Sequence, residues 1–390
     1  MEIPASVEPT PRLGSDGRNP IYSLLSPEPP IPYESFMYRA PVVGSPVLVA
    51  FGEARVGSCF DYAPTHLVTK RSTDGGATWS QLSVVHKDGK SVIGNAAPVW
   101  DPGAQRLLVP FCVNNSGVMI MHSDDVGRTF TNLRDITTQA SRDEWKWYGL
   151  GPPGGISIPT PTSSPHPEAS REPALQLPLP LPLPLPLPLK ASTRLLIPGY
   201  HGPVHWLDGT FTHPHVIASD DGGDTWRILF EWDNSTDAFF SNECQLAAAS
   251  LSNGTTALIL SARTLALNRA QAVSMDLGNT FTNMQLQHEL PQPLDGVEGS
   301  ILWDAPRKQL LQTFLNDSSI VGLRSNLSLA RSVDLGASWE HVRDLDSGAS
   351  AYSALVALRN GSVGVLYERA VKVQPVFTPD SIVFGIAIEI

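Results

Sequence analysis

The octet STDGGATW, residues 72 to 79, recurs four times: as SDDVGRTF from 123, SDDGGDTW from 219, SMDLGNTF from 274 and SVDLGASW from 332. All five fit one template, Ser-x-Asp-x-Gly-x-Ser/Thr-Trp/Phe. Each copy reads as a rigid hairpin tip. Its Asp side chain can bond the backbone N–H groups of a tight turn, its Gly supplies a positive φ, and its aromatic packs beneath. Segments rich in β-formers, HLVTKR, VMIMH, HVIAS, AQAVS and LSLAR, run into the tips as strands do. Amphipathic stretches of helical period are almost missing, so the chain reads as all-β.

The spacing carries the argument from hairpin to fold. Successive starts lie 51, 96, 55 and 58 residues apart, and a four-stranded propeller blade takes about 40–50 residues plus loops. The long gap contains a Leu/Pro tract, residues 159–192, in which proline at every second position removes ladder donors. Without that insertion the gap returns to the common period. The expected architecture is a six-bladed β-propeller over residues 31–390, carrying five Asp-box hairpins, with residues 1–30 as an N-terminal extension.

Composition excludes several function classes. The formal net charge is −11 over 390 residues, which argues against a nucleic-acid surface. No run approaches the roughly 18 apolar residues of a membrane span. The opening residues lack the basic and apolar regions of a secretory signal, while sequons at Asn114, Asn234, Asn253, Asn316, Asn326 and Asn360 leave the compartment open. Cys59, Cys112 and Cys244 are too few for a disulfide framework and read as buried thiols. No cluster has metal-ligand spacing and no phosphate-binding Gly-rich loop follows a strand, so no metal or organic cofactor is expected.

Asp boxes are scaffold turns and do not by themselves make an enzyme. Other segments resemble the sialidase superfamily. YRAP at 38–41 is similar to the arginine motif near the start of sialidases, and GEAR to CFDYAP (52–64) to their acidic loop before the first box. GNAAPVWD (94–101), GPPGG and RLLIPGY fit the family's middle blades. SNECQLAAASLSNGTTALILSAR (241–263), LRSNLSLARSVDLGASW (323–339) and AYSALVALRNGSVGVLYE (351–368) match its later motifs in order. The resemblance runs from about residue 35 onward, outside the insertion.

The resemblance implies roles residue by residue. Arg39, Arg263 and Arg324 would grip the substrate carboxylate, which suits planar guanidinium forks. Tyr352 would be the nucleophile and Glu243 its base; a neutral phenol avoids the repulsion that a carboxylate nucleophile meets at an anionic sugar. Asp61 would be the acid and base at the leaving oxygen, and Glu368 would orient Arg39. Arg55 is a candidate contributor to the anion-binding field; the alternative is a structural pairing with the adjacent Glu53. Taken singly, each of these residues has an ordinary alternative: a solvated or salt-bridged arginine, a core tyrosine, a surface glutamate or a turn aspartate.

Three departures bear on substrate identity: Ala40 replaces the usual isoleucine, GPPGG carries an extra proline, and the Leu/Pro insertion interrupts a middle region whose loops in this superfamily can face the glycerol or acetamido side of the sugar. The implied activity is a retaining exo-α-sialidase acting on sialylated glycoconjugates through a glycosyl-tyrosine intermediate. The alternatives are a non-catalytic sialic-acid-binding propeller, a hydrolase of a related 2-keto sugar acid, and an Asp-box scaffold whose arginines do not converge.

Overall fold

The structure is a computed structural model. It describes residues 47–57, 61–160, 193–203, 211–318, 320, 322–373 and 379–389, together with the backbone of two strands at 19–23 and 37–41. Cys59, nearly all of the Leu/Pro tract, most of the N-terminal extension and the side chain of Arg39 lie outside the described residues.

The described residues form twenty-five strands and one four-residue helix, α1 (Thr137–Ala140). After β1 (Asn19–Ser23), the first unit is β2 (Met37–Pro41), β3 (Leu48–Arg55), β4 (Thr65–Ser72) and β5 (Ser83–His86). In the second, β6 (Ile93–Gly94) and β7 (Val99–Asp101) share β8 (Arg106–Val113), followed by β9 (Gly117–Ser123) and β10 (Thr131–Asp135). In the third, β11 (Trp147–Leu150) and β12 (Ile156–Pro159) share β13 (Thr193–Gly202), followed by β14 (His213–Ser219) and β15 (Arg227–Glu231). The fourth is β16 (Cys244–Ser250), β17 (Thr256–Ala262), β18 (Asn268–Ser274) and β19 (Gln285–Pro291). The fifth begins with β20 (Ile301–Asp304), β21 (Gln309–Leu315) and β22 (Ser325–Ser332), and ends in the 18-residue β23 (Glu340–Ala357). β24 (Val363–Arg369) and β25 (Ser381–Ile388) complete the order.

All pairings between these strands are antiparallel, and the arrangement is a propeller of small sheets. Among the described residues five hydrogen-bonded sheets are present where six are expected, and the long β23 is the reason. Its first part, Glu340 to Ala349, pairs with β22; its second part, Ser350 to Ala357, pairs with β24. One continuous strand thus serves as the outer strand of the fifth unit and the inner strand of the sixth.

The same topology explains five boxes on six units. Each box opens on the serine that ends the third strand of its unit, Ser72, Ser123, Ser219, Ser274 or Ser332, and turns the chain into the fourth strand. In the sixth unit the fourth strand is β1, which pairs with β25 and comes from the segment read as an N-terminal extension. No hairpin joins those two strands, so no box is needed.

The turn chemistry is local. In the first box Asp74 Oδ1 accepts the Thr78 N–H at 2.9 Å and the Ser72 hydroxyl at 2.8 Å, while Ser72 Oγ accepts the Gly76 N–H at 2.8 Å. The box glycines, Gly76, Gly127, Gly223, Gly278 and Gly336, all have φ between +77° and +96°, a region that side-chain-bearing residues rarely enter.

Between neighbouring units lie apolar seams, and period-two alternation fills two seams from one strand. On β3, Val49 and Phe51 pack with Leu107, Val109 and Phe111 of the second unit, whereas Leu48 and Ala50 pack with Leu366 and Phe384 of the sixth. The ring is closed by that second seam, where Trp79 of the first box meets Phe384 edge-on at 5.8 Å between centroids.

Candidate active site

Strand ends carry most of the residues singled out by sequence. Glu243 precedes β16 and Arg263 follows β17, so the β16–β17 hairpin holds them side by side; the Arg263 N–H donates to the Glu243 carbonyl at 2.9 Å. Arg324 precedes β22, and its carbonyl accepts the Ser350 N–H at 3.3 Å. Tyr352 lies on β23 just past that point, two residues into the part that has joined the sixth unit.

These elements bring three functional groups into one contact. The Tyr352 hydroxyl donates to Glu243 Oε1. Arg263 Nη1 donates to Glu243 Oε2 at 2.8 Å and to the Tyr352 oxygen at 3.1 Å, while its Nε is anchored on the Asp295 carbonyl at 2.7 Å. The guanidinium carbon of Arg324 stands 5.6 Å from the centroid of the Tyr352 ring. Both arginines therefore converge on Tyr352. For Arg39 the backbone alone is described: it pairs with Ala50, and β2 packs against β23, the strand of the tyrosine.

Burial sets the electrostatics. Tyr352 and Glu243 are each 7% exposed. Burial holds the Tyr352 phenol well above its ordinary range, the charge of Glu243 raises it further, and Arg263 and Arg324 oppose both. Burial works most strongly against the charge of Arg263, but the adjacent Glu243 carboxylate together with Tyr352 and Tyr200 more than offsets this and keeps the guanidinium protonated. At rest Tyr352 is a neutral phenol whose proton is bonded to Glu243 Oε1.

The Asp61 side chain is 70% exposed and ion-paired to Arg55 at 2.8 Å. Arg55 Nη2 also lies 3.5 Å from Glu53 Oε2, and Glu53 Oε1 accepts the Asn95 N–H at 2.8 Å. Arg55 is thus shared by two carboxylates. Glu368, on β24, is 2% exposed, and neither carboxylate oxygen has a hydrogen-bond partner among the described residues. Burial raises its pKa well above the usual carboxylate range, against the pull of Arg324 and Arg55.

Sequence reading passed over three buried groups near this contact. Tyr200, on β13, is 7% exposed and lies within the field of Glu243 and Arg263. Glu298 and Arg269 lie beneath the strand of Tyr352. A glutamate between glycines, as in GVEGS (296–300), was the only signal in the sequence for Glu298. Among the described residues no three His, Cys, Asp or Glu side chains are grouped as metal ligands, and no helix is long and apolar enough to cross a membrane. Cys112 and Cys244 are buried free thiols.

Comparisons with known proteins bear on the fold and the family. The model of the BNR repeat-like domain matches residues 48–365. The chain is 27% identical to sialidase-4 of Homo sapiens over 67% of its own length and 52% of the relative's. It is 26% identical to sialidase-3 of Bos taurus over 86% of both chains. The chain thus spans about half the length of the first relative and most of the second. Among solved structures, the intramolecular trans-sialidase from Ruminococcus gnavus superposes with a TM-score of 0.71 at 15% identity, covering 95% of this chain and 97% of that one. A Hadza microbial sialidase superposes with a TM-score of 0.68 at 20% identity, covering 91% and 66%. Matched over most of its length by that family model, the chain belongs to the BNR repeat-like domain family of the sialidase superfamily.

Proposed function

We propose that the protein is a retaining exo-α-sialidase that removes terminal sialic acid from glycoconjugates. The observation that carries this reading is the three-way contact of Tyr352, Glu243 and Arg263 beneath the guanidinium of Arg324. A buried tyrosine bonded to a carboxylate, with two cations at its ring and oxygen, suits attack on an anionic sugar. The kinship with sialidase-3 of Bos taurus supports the same substrate class.

In the proposed reaction the substrate carboxylate is held by Arg39, Arg263 and Arg324. Nη2 of Arg263 makes no hydrogen bond among the described residues, so it can donate to an anion while Nη1 keeps Glu243 and Tyr352 in register. The Tyr352 oxygen attacks the anomeric carbon and its proton passes to Glu243. The bond to the leaving oxygen breaks as Asp61 delivers a proton there. In the second half Asp61 takes a proton from water, the water oxygen bonds to the anomeric carbon, and the tyrosine oxygen departs and recovers its proton from Glu243. Two displacements retain the configuration. Because burial keeps the phenol protonated at rest, proton transfer to Glu243 accompanies the attack.

The test is turnover of a fluorogenic α-linked sialoside by the intact protein and by Tyr352→Phe. Turnover lost in the Phe variant supports the reading. Tight binding of the sialoside without turnover would replace it with a sialic-acid-binding propeller, a reading favoured by the exposed, ion-paired Asp61.

A further inference from the structure

Glu298 is 3% exposed and has no part in the reaction described above. Its Oε2 accepts the N–H of Ser353, the residue after Tyr352, at 2.8 Å. Two residues on, Ser300 Oγ accepts the Leu355 N–H at 2.9 Å and donates to Gln245 Oε1 at 2.8 Å. Side chains of one short segment thus satisfy alternate N–H groups of β23, just past the register shift between Ser350 and Ser353 where the strand changes sheets. The segment is itself clamped. Arg269 donates to the Val297 carbonyl at 2.8 Å and the Gly299 carbonyl at 3.4 Å, on either side of Glu298. Gly299 permits this, because a Cβ there would run into the Thr313 carbonyl.

The second oxygen, Glu298 Oε1, is buried without a hydrogen-bond partner among the described residues. An ionised carboxylate would leave that oxygen's share of the charge unsolvated, so the geometry favours the neutral acid. The groups that face it are Arg269, Glu243, Arg263 and Glu368, with the Tyr352–Ser353 peptide above. Resting on the hydrolase reading for its kinetic consequence, we propose that Glu298 is a positioning residue for Tyr352. It holds the nucleophile's strand from below, and its own protonation state sets how readily Tyr352 passes a proton to Glu243.

Burial pushes Glu298 up to about 8, against the Ser353 N–H and Arg269. Its ionisation as pH rises places a new negative charge beneath Tyr352 and Glu243, which opposes both formation of phenolate character and the approach of an anionic sugar.

The experiment combines two readouts on the intact chain. In protein labelled with ring-13Cζ tyrosine, the Tyr352 resonance, assigned by its loss in Tyr352→Phe, is followed from pH 6 to 10 in the wild type and in Glu298→Gln. The expected result is an inflection about pH 8 in the wild type that disappears in the variant. For turnover of the fluorogenic sialoside, Glu298→Ala is expected to lower kcat about 10- to 100-fold with little change in KM, as a misplaced reacting group does. Glu298→Gln, which keeps the acceptor oxygen, is expected to restore most of that loss and to remove the alkaline fall in kcat. An inflection absent from the wild type, or retained in Glu298→Gln, overturns the proposal. If Glu298→Ala does not fold, the Gln variant decides. A wild type with the inflection and without turnover supports the coupling and removes the hydrolase reading instead.

Discussion

Tyr352 and Glu243 stand 109 positions apart in the chain and share one hydrogen bond, from the phenol to Oε1. Their carriers belong to different sheets, β23 and the start of β16, and Arg263 bridges them from the far end of the β16–β17 hairpin. The acid–base state of Tyr352 is therefore set by how the fourth unit packs against the junction of the fifth and sixth.

Glu243→Gln keeps the shape of this contact and removes the carboxylate proposed to accept the phenol proton. On the fluorogenic sialoside, kcat is expected to fall by about 10²- to 10⁴-fold, the usual contribution of general base catalysis, with KM changed much less. A loss confined to KM would place Glu243 in substrate binding.

Arg263→Ala leaves the Glu243 carboxylate buried without its ion-pair partner. Breaking a buried pair costs about 3–5 kcal/mol, so the urea midpoint is expected to drop by a corresponding amount. The double variant Arg263→Ala/Glu243→Gln is expected to recover part of this loss, since no unpaired charge remains. Equal stability of the single and double variants would show that the ion pair contributes little.

The Asp boxes predict an acid dependence. The Thr78 hydroxyl and N–H hold Asp74 down to about 2. Asp125 is also held at about 2: burial would raise it, but hydrogen bonds from Thr129 and Ser123 win. A carboxylate depressed in the folded state stabilises the fold fully above its unfolded pKa, about 3.9, and that stabilisation is lost as pH falls through about 2. The double variant Asp74→Asn/Asp125→Asn is expected to be less stable than the wild type at pH 6, and the gap to narrow from about pH 4 downward and close near pH 2. A gap independent of pH would mean that the aspartates act through shape alone.

Gly76→Ala tests ring closure. Gly76 has φ +96°, and a Cβ there would drive into the ring of Phe384 on β25. Backbone strain of about 1 kcal/mol adds to the repacking cost of the seam between the first and sixth units, so a loss of about 2–4 kcal/mol in unfolding free energy is expected. Phe384→Leu in the same background is expected to restore part of it.

The hairpin tips were fully legible in the sequence, because their bonds reach only four residues along the chain. The contacts of Ser72, Asp74, Gly76 and Thr78 recur at the matching positions of the other four boxes. The spacing of those tips and the alternation of strands such as β3 were enough for an all-β ring of four-stranded units. The tertiary structure decided the rest. β23 runs through two units and β1 supplies the outer strand of the last, pairings set by which edges meet when the ring closes and not by any local pattern. Arg55 reads in the sequence as a candidate anion binder, and only packing places it between Glu53 and Asp61. Glu298, Arg269 and Ser353 gain their relation only because the segment after Asp295 lies beneath β23. Local turn chemistry is encoded over a few residues, whereas the contact of Tyr352, Glu243 and Arg263 exists only once separate sheets have buried their apolar faces against one another.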